Sequence, residues 1–94
     1  MVTRIDKEPD AAKRRRRQWA QNLKDALASR PGGEWSPKRF HREVETALEG
    51  SGQTITIQAV YFWLSGETAP RPEMQNVIAQ VLGIPAHLLF PVGQ

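Results

Sequence analysis

The chain has 94 residues, 39% of them hydrophobic, and no cysteine, which suits one small domain and excludes disulfide frameworks, thiolate metal sites and cysteine nucleophiles. Its formal net charge of +3 is unevenly distributed, because residues 1–42 carry 12 Lys and Arg against 5 Asp and Glu, whereas residues 43–94 carry 1 against 5. The basic half indicates a polyanionic partner, either nucleic acid or an anionic membrane surface, of which the second is disfavoured because the apolar stripe behind the basic run is short. No apolar stretch approaches the roughly 20 residues that cross a bilayer.

The N-terminal third predicts an arm followed by a long helix. Residues 1–10 show no hydrophobic periodicity, and we expect a disordered arm there. A single domain over residues 11–94 is expected to follow the arm. Over residues 11–30, apolar side chains recur at helical spacing, which predicts the first helix. Its apolar stripe consists of Trp19, Leu23 and Leu27.

Capping signals predict where the next two helices begin. The Ser-Pro pair at residues 36–37 is typical of a helix N-terminus and predicts a second helix over residues 37–49. The alternating residues 54–57 also fit a short strand, but a strand needs partners and no other segment has a strand pattern. We therefore predict Thr56 as the N-cap of a third helix over residues 57–65.

The last third predicts two more helices and completes an all-α fold. Pro72 opens the strongest amphipathic pattern of the chain, which predicts a fourth helix over residues 72–82. Pro85 starts a short fifth helix over residues 85–90. Trp35 either packs as a hydrophobic staple on the second helix or lies exposed at an interface. The aromatic residues expected in the core are Trp19, Phe40, Trp63 and Phe90.

From residue 36 to residue 91 the chain resembles the phage-repressor-like (XRE/Cro) helix-turn-helix family, and it is also similar to the mycobacterial EspR-type variant. The resemblance is carried by a threonine-capped helix that ends in Ser-Gly (TIQAVYFWLSG), a proline-containing loop (ETAPRP) and an amphipathic helix that ends in LGIP, followed by LLF. It implies a five-helix, repressor-like domain with a basic N-terminal arm that binds double-stranded DNA. In that fold the second helix braces the third, which enters the major groove.

The predicted third helix has two faces. Val60, Trp63 and Leu64 are expected in the core, and by resemblance the opposite face contacts DNA bases. Gln58 is suited to the N6/N7 edge of adenine, and Ile57 is suited to the methyl group of thymine. The alternative for the apolar members of this face is a place in the core or in a protein interface. The base-contacting residues are Ile57, Gln58, Tyr61 and Phe62.

Two basic segments are expected to contact the DNA backbone. Lys13 begins a run of five consecutive cations, which wrap around a helix at about 100° per residue and cannot share one face. The run is expected to hold phosphates or to enter a narrow minor groove, with a solvated helix end as the alternative. The second segment lies at the start of the second helix, where the family's bracing helix meets the backbone. The backbone-contacting residues are Arg14, Arg15, Arg16, Arg17, Lys38, Arg39, Arg42 and the cap Thr56.

Catalysis has little support in the sequence. His41 and His87 have no matched carboxylate and nucleophile at catalytic spacing, and two histidines without cysteine make a weak case for a metal site. No phosphate-binding loop or hydrolase motif is present. We therefore predict a non-enzymatic protein without a metal or other cofactor. Its expected role is transcriptional regulation in the cytoplasm, in association with the nucleoid, as a homodimer. The candidate dimer contacts are Leu88, Leu89, Phe90 and Val92.

Two alternative functions stay open. The predicted third helix contains no Lys or Arg, which favours a protein-interaction module on the same fold, such as an adaptor or an antitoxin-like partner. The basic half also fits a nucleoid-type protein that binds DNA with little sequence preference. The salt dependence of binding separates the first alternative from DNA binding, and a comparison of specific with random duplexes separates the second.

Overall fold

The computed structural model describes residues 10–32 and 34–92, and over these ranges it contains five α-helices and no strand. The predicted all-α class is therefore confirmed. None of the helices in these ranges is both long enough and apolar enough to cross a membrane. The helices are α1 (Asp10–Ala28), α2 (Pro37–Ala47), α3 (Ile57–Ser65), α4 (Pro72–Leu82) and α5 (Ala86–Leu89).

Local capping explains where α2 and α3 begin and where α3 ends. The Ser36 hydroxyl accepts a hydrogen bond from the Arg39 N–H at 3.2 Å, and the Thr56 hydroxyl accepts one from the Ala59 N–H at 3.1 Å. α3 ends at Gly66, whose φ of +84° lies in the left-handed region that glycine adopts without a Cβ clash. Residues 54–56 are therefore an irregular segment that leads into α3 rather than a strand.

Three helices are shorter than the sequence predicts. α1 ends at Ala28, before the predicted boundary, because the residue that precedes Pro31 is disfavoured in the helical conformation. α2 ends at Ala47 and α5 has only 4 residues. The predicted arm lies outside the described residues except for Asp10, which is the first residue of α1 rather than part of the arm.

Buried apolar side chains from all five helices form one core. α1 packs against α3 and α5, α2 packs against α3 and α4, and α4 packs against α5. The four aromatic residues predicted in the core are buried, and Trp19 meets Phe90 edge to face with ring centroids 5.3 Å apart. Trp35 packs against this core and is partly buried. The largest fully buried side chains are Phe40, Leu23, Leu27, Ile78, Val44 and Val60.

The segment that includes α5 is fastened to α1 by hydrogen bonds. The Trp19 indole N–H donates to the Pro91 carbonyl at 2.9 Å, and the Asn22 amide donates to the Leu89 carbonyl at 3.0 Å. Leu89 and Phe90 are buried, so their prediction as dimer contacts is wrong. Both side chains belong to the core of one chain, because α1 covers them. The other two candidate dimer contacts are exposed.

Candidate nucleic-acid interface

α3 has one buried face and one exposed face. Val60, Trp63 and Leu64 are buried, which confirms the predicted core face of this helix. On the opposite side Tyr61 is 47% exposed and Phe62 is 37% exposed. The side chains on this side, which we call the α3 face, are Ile57, Gln58, Tyr61, Phe62 and Ser65. All five are uncharged, and at about 100° per residue they fall within an arc of about 140°.

An open hollow lies where the N-terminal end of α3 meets α2. It is lined by Lys38, His41, Arg42 and Glu45 from α2 and by Ile57 from α3. Lys38 and Arg42, which we call the α2 cluster, lie one helical turn apart and are both exposed. The structure thus brings two predicted phosphate contacts and one predicted base contact together at this end of α3.

His41 and Glu45 fasten the backbone that leads into α3. Glu45 Oε2 accepts hydrogen bonds from the Ile55 N–H and from the Thr54 hydroxyl, both at 2.9 Å. His41 Nε2 lies 2.9 Å from the Ile55 carbonyl oxygen, and this nitrogen is the donor because a carbonyl oxygen only accepts. The hydrogen bond from Ile55, followed by that from Thr54, lowers the pKa of Glu45 below its ordinary value. A charged carboxylate therefore holds the entry to α3 against α2.

The C-terminal end of α3 is held by α1. The Arg16 Nε–H donates to the Gly66 carbonyl at 3.1 Å, where the last carbonyls of a helix carry partial negative charge. The backbones approach closely, because a Cβ added to Gly66 would lie 3.3 Å from the Cα of Arg17. A second hollow here is lined by Lys13, Arg16, Arg17, Ser65, Gly66 and Glu67. We call its three cations, Lys13, Arg16 and Arg17, the α1 cluster.

Helix geometry divides the arginine run. Lys13, Arg16 and Arg17 have the i, i+3, i+4 spacing that places side chains on one side of a helix, here the side next to the end of α3. Arg14 and Arg15 are exposed but do not line that hollow. Arg16 is partly buried and bonds to the turn after α3, so this predicted phosphate contact has a structural role as well.

Arg39 lies apart from α3. Its guanidinium Nε is 3.5 Å from the Glu43 carboxylate, and another guanidinium nitrogen is 3.4 Å from the Glu34 carbonyl oxygen. Glu43 also accepts two hydrogen bonds from Arg30, at 2.8 and 3.2 Å, which link α2 to the turn after α1. Arg39 does not line the hollow that holds the α2 cluster. The structure therefore gives this predicted phosphate contact an intramolecular ion pair instead of a place beside α3.

The α3 face lies between two groups of positive charge. The α2 cluster adjoins Ile57, the first residue of α3, and the α1 cluster adjoins Ser65, the last. Eight steps of about 1.5 Å separate these two residues along the helix axis, a distance of about 12 Å. One acidic residue lines each hollow, Glu45 at the first and Glu67 at the second. The surface thus consists of the uncharged α3 face with a cationic cluster at each end.

Lys13, His41 and Glu45 line the two hollows but are not among the individual DNA contacts predicted from the sequence. The helical spacing of Lys13 from Arg16 and Arg17 is a signal that would have placed Lys13 with them. His41 and Glu45 are also one turn apart, which is a local signal for a pair. Their partner Ile55 lies 14 and 10 residues further along the chain, and no local pattern identifies it.

Known proteins give no further guide to this surface. Comparisons of the chain with protein-family models, with curated proteins and with solved structures find no match. Within residues 10–32 and 34–92, no group of three or more His, Asp or Glu side chains is placed to hold a metal ion. Function therefore has to be inferred from the exposure and charge of α3 and its flanks.

Proposed function

We propose that the chain is a double-stranded-DNA-binding transcriptional regulator with a repressor-like (XRE/Cro) helix-turn-helix arrangement. In this proposal α3 is the recognition helix, α2 braces it across the DNA backbone, and the protein acts by binding rather than by catalysis. One observation carries the proposal: α3 exposes an uncharged face between the α2 cluster and the α1 cluster. An exposed helix with positive charge at both ends fits the major groove of DNA, because negatively charged phosphate strands border that groove.

The dimensions of α3 suit the major groove of B-DNA. That groove is about 12 Å wide and about 8.5 Å deep, which admits an α-helix. The α2 cluster adjoins one end of α3 and the α1 cluster adjoins the other, so both clusters lie near the phosphate strands that border the groove when the α3 face enters it. The α3 face itself then meets the base edges, with Gln58 as its hydrogen-bonding residue.

The predicted phosphate contacts take different places in this proposal. The α2 cluster and Arg17 hold the strands beside α3, and the exposed Arg14 and Arg15 reach flanking DNA. Thr56 is exposed at the N-cap, and its hydroxyl keeps a proton that it donates to a phosphate oxygen. We expect a smaller contribution from Arg39, because Glu43 already neutralises part of its charge.

A protein-interaction module is the second candidate, and one observation favours it. Tyr61 and Phe62 are exposed aromatic side chains that lie on the α3 face, and aromatic residues are enriched at protein interfaces. A partner protein that covers this face would bind through apolar area rather than through the cationic clusters. Its affinity would therefore change little with salt, whereas DNA binding depends steeply on it.

The homodimer is also part of the proposal. Leu88 is 58% exposed and Val92 is 75% exposed. Leu88 lines a shallow hollow together with Ala26 of α1 and Ile84, which follows α4. A second copy of the chain is proposed to cover this patch. Sedimentation of wild type and Leu88→Ser tests it: the variant is expected to be monomeric at concentrations where wild type is dimeric.

The proposed function is tested by the salt dependence of DNA binding. Fluorescence anisotropy with a labelled random-sequence duplex is measured between about 50 and about 200 mM salt. With about five phosphate contacts, the slope of log affinity against log salt is expected near −4.5, which is a loss of about 500-fold over this range. No binding at the lowest salt, or binding that salt leaves unchanged, would remove DNA as the partner.

A further inference from the structure

The α3 face lacks the two side chains that most often read guanine. Guanine is recognised in the major groove mainly by Arg or Lys, which donate two hydrogen bonds to its O6 and N7 atoms. None of the five side chains on the α3 face is charged, and α3 has no Lys or Arg along its length. The cations that line a hollow together with a residue of the α3 face belong to α1 and α2, and they lie at the two ends of α3, where the phosphate strands are expected.

The same face carries exposed apolar side chains. Phe62 is 37% exposed and Tyr61 is 47% exposed, while Ile57 is partly buried at the edge of the hollow beside α2. The apolar group that a base pair displays in the major groove is the C5-methyl group of thymine. Contact with such a methyl group removes apolar surface from water on both partners, which is favourable. Gln58, on the same face, pairs with the N6 and N7 atoms of adenine.

The face is held firmly enough for short-range contacts. At its start the Thr56 hydroxyl caps α3 and Glu45 holds the preceding backbone. At its end Arg16 bonds to the Gly66 carbonyl. A methyl contact acts over a few ångströms only, so it discriminates between bases when the helix that makes it cannot shift.

We propose that the α3 face reads A·T base pairs through the thymine methyl groups, with Gln58 reading adenine, so that the protein prefers A·T-rich duplexes. This inference rests on the proposed DNA-binding function and specifies the base pairs that it recognises. Phe62 and Ile57 are the methyl-contacting residues. The two cationic clusters contribute affinity for any sequence and no preference among sequences.

The first experiment selects duplexes from a library with a randomised core, using wild-type protein at low salt. The enriched cores are expected to be rich in A·T pairs. In an enriched duplex each thymine is then replaced by deoxyuridine, which lacks the methyl group and keeps the base pairing and the phosphates. At each contacted position this replacement is expected to weaken binding about fourfold, the effect of one buried methyl-sized group.

The second experiment assigns the effect to α3. Phe62→Ala is expected to bind the thymine duplex and its deoxyuridine counterpart almost equally at the position that Phe62 contacts. Lys38→Gln is the matched control, and it is expected to bind both duplexes more weakly while keeping the difference between them. Circular dichroism establishes that each variant is folded, and Ile57→Ala replaces Phe62→Ala if the latter is not.

A third arm tests Gln58 independently of packing. Gln58→Ala is compared with wild type on duplexes in which adenine is replaced by 7-deazaadenine, which lacks the N7 acceptor. Wild type is expected to lose affinity about fivefold at one position, because one of the two hydrogen bonds between Gln58 and adenine is lost, and the variant is expected to lose none. Equal losses in the two proteins would overturn the assignment of Gln58.

The failure of this inference differs from the failure of the proposed function. Salt-dependent binding with G·C-rich selection, with no enrichment, or with equal affinity for thymine and deoxyuridine duplexes overturns the inference and leaves DNA binding in place. Lack of enrichment with strong binding at low salt identifies the nucleoid-type alternative. Absence of binding to every duplex at low salt overturns both proposals.

Discussion

The two ends of α3 are fixed by different means. At the N-terminal end Glu45 and His41 hold the backbone, and the neighbouring Lys38 and Arg42 make no ion pair within the described part of the chain. At the C-terminal end a cation, Arg16, makes the contact that holds α3. At the N-terminal end of α3, the residues that fix the backbone therefore differ from the neighbouring cations. At the C-terminal end, one cation, Arg16, fixes the backbone itself. Substitutions at the two ends are therefore expected to have different consequences.

The largest effect is expected from removing charge at the N-terminal end. The double variant Lys38→Gln, Arg42→Gln is expected to bind DNA about thirtyfold more weakly at about 0.15 M salt, because two phosphate contacts are lost. The slope of log affinity against log salt is expected to fall by about 2. Anisotropy titrations measure both quantities.

The same variant is expected to unfold at nearly the wild-type temperature, since both side chains are exposed and hold nothing in the described structure. A matched control is Lys24→Gln on α1, which lines neither hollow and is expected to change the slope little. Equal slopes for wild type and the double variant would contradict the place given to the α2 cluster.

A smaller and mixed effect is expected at the C-terminal end. Arg16→Ala is expected to lower the free energy of unfolding by about 1 kcal/mol, because the partly buried Gly66 carbonyl loses a charged donor. DNA affinity is expected to fall several-fold at the same time. Arg17→Ala, which removes a neighbouring cation of the same cluster, is expected to lower affinity with little loss of stability. Urea unfolding and anisotropy titrations compare the two variants. Equal losses of unfolding free energy and of DNA affinity in both variants would show that Arg16 has no structural role beyond that of Arg17.

The smallest effect concerns Glu45 and depends on pH. Its pKa is lowered in the folded chain by hydrogen bonds from Ile55 and Thr54, so its charged form stabilises the fold above the ordinary glutamate pKa of about 4.3 and stops doing so as the pH falls through the lowered value. Wild type is expected to be more stable than Glu45→Gln near neutral pH, and the difference is expected to shrink below about pH 4. Urea unfolding across this range measures it. A difference that stays constant with pH would show that the carboxylate charge does not hold the entry to α3.

Local features of the sequence were enough to predict α3 and its two faces. Thr56 caps its own helix three residues away, and the positions of Val60 and Trp63 follow from the helical period alone. The start of α2 at residues 36–37 is predictable for the same reason. The C-terminal end of α1 depends on Pro31, whose effect on the conformation of the preceding residue is also local.

Features that depend on distant parts of the chain could not be predicted in this way. Arg16 bonds to Gly66, 50 residues further along, so the sequence gives no reason to separate it from its neighbours in the run. From the sequence, Leu89 and Phe90 are apolar residues that suit an exposed dimer contact. Only the packed structure shows that α1 covers them. The hydrogen bonds that link His41 and Glu45 to the Ile55 backbone likewise form only when α2 and the segment before α3 are packed together.

The central claim is that the α3 face enters a DNA duplex, and a nuclear magnetic resonance titration tests it most directly. Uniformly ¹⁵N-labelled protein is titrated at low salt with a duplex of about two helical turns, about 20 base pairs. The account predicts amide shifts concentrated at Gln58, Tyr61, Phe62 and the α2 cluster, with Asn76 and Gln80 on the exposed side of α4 unchanged. Shifts confined to α4 and α5, with the α3 amides unmoved, would contradict it.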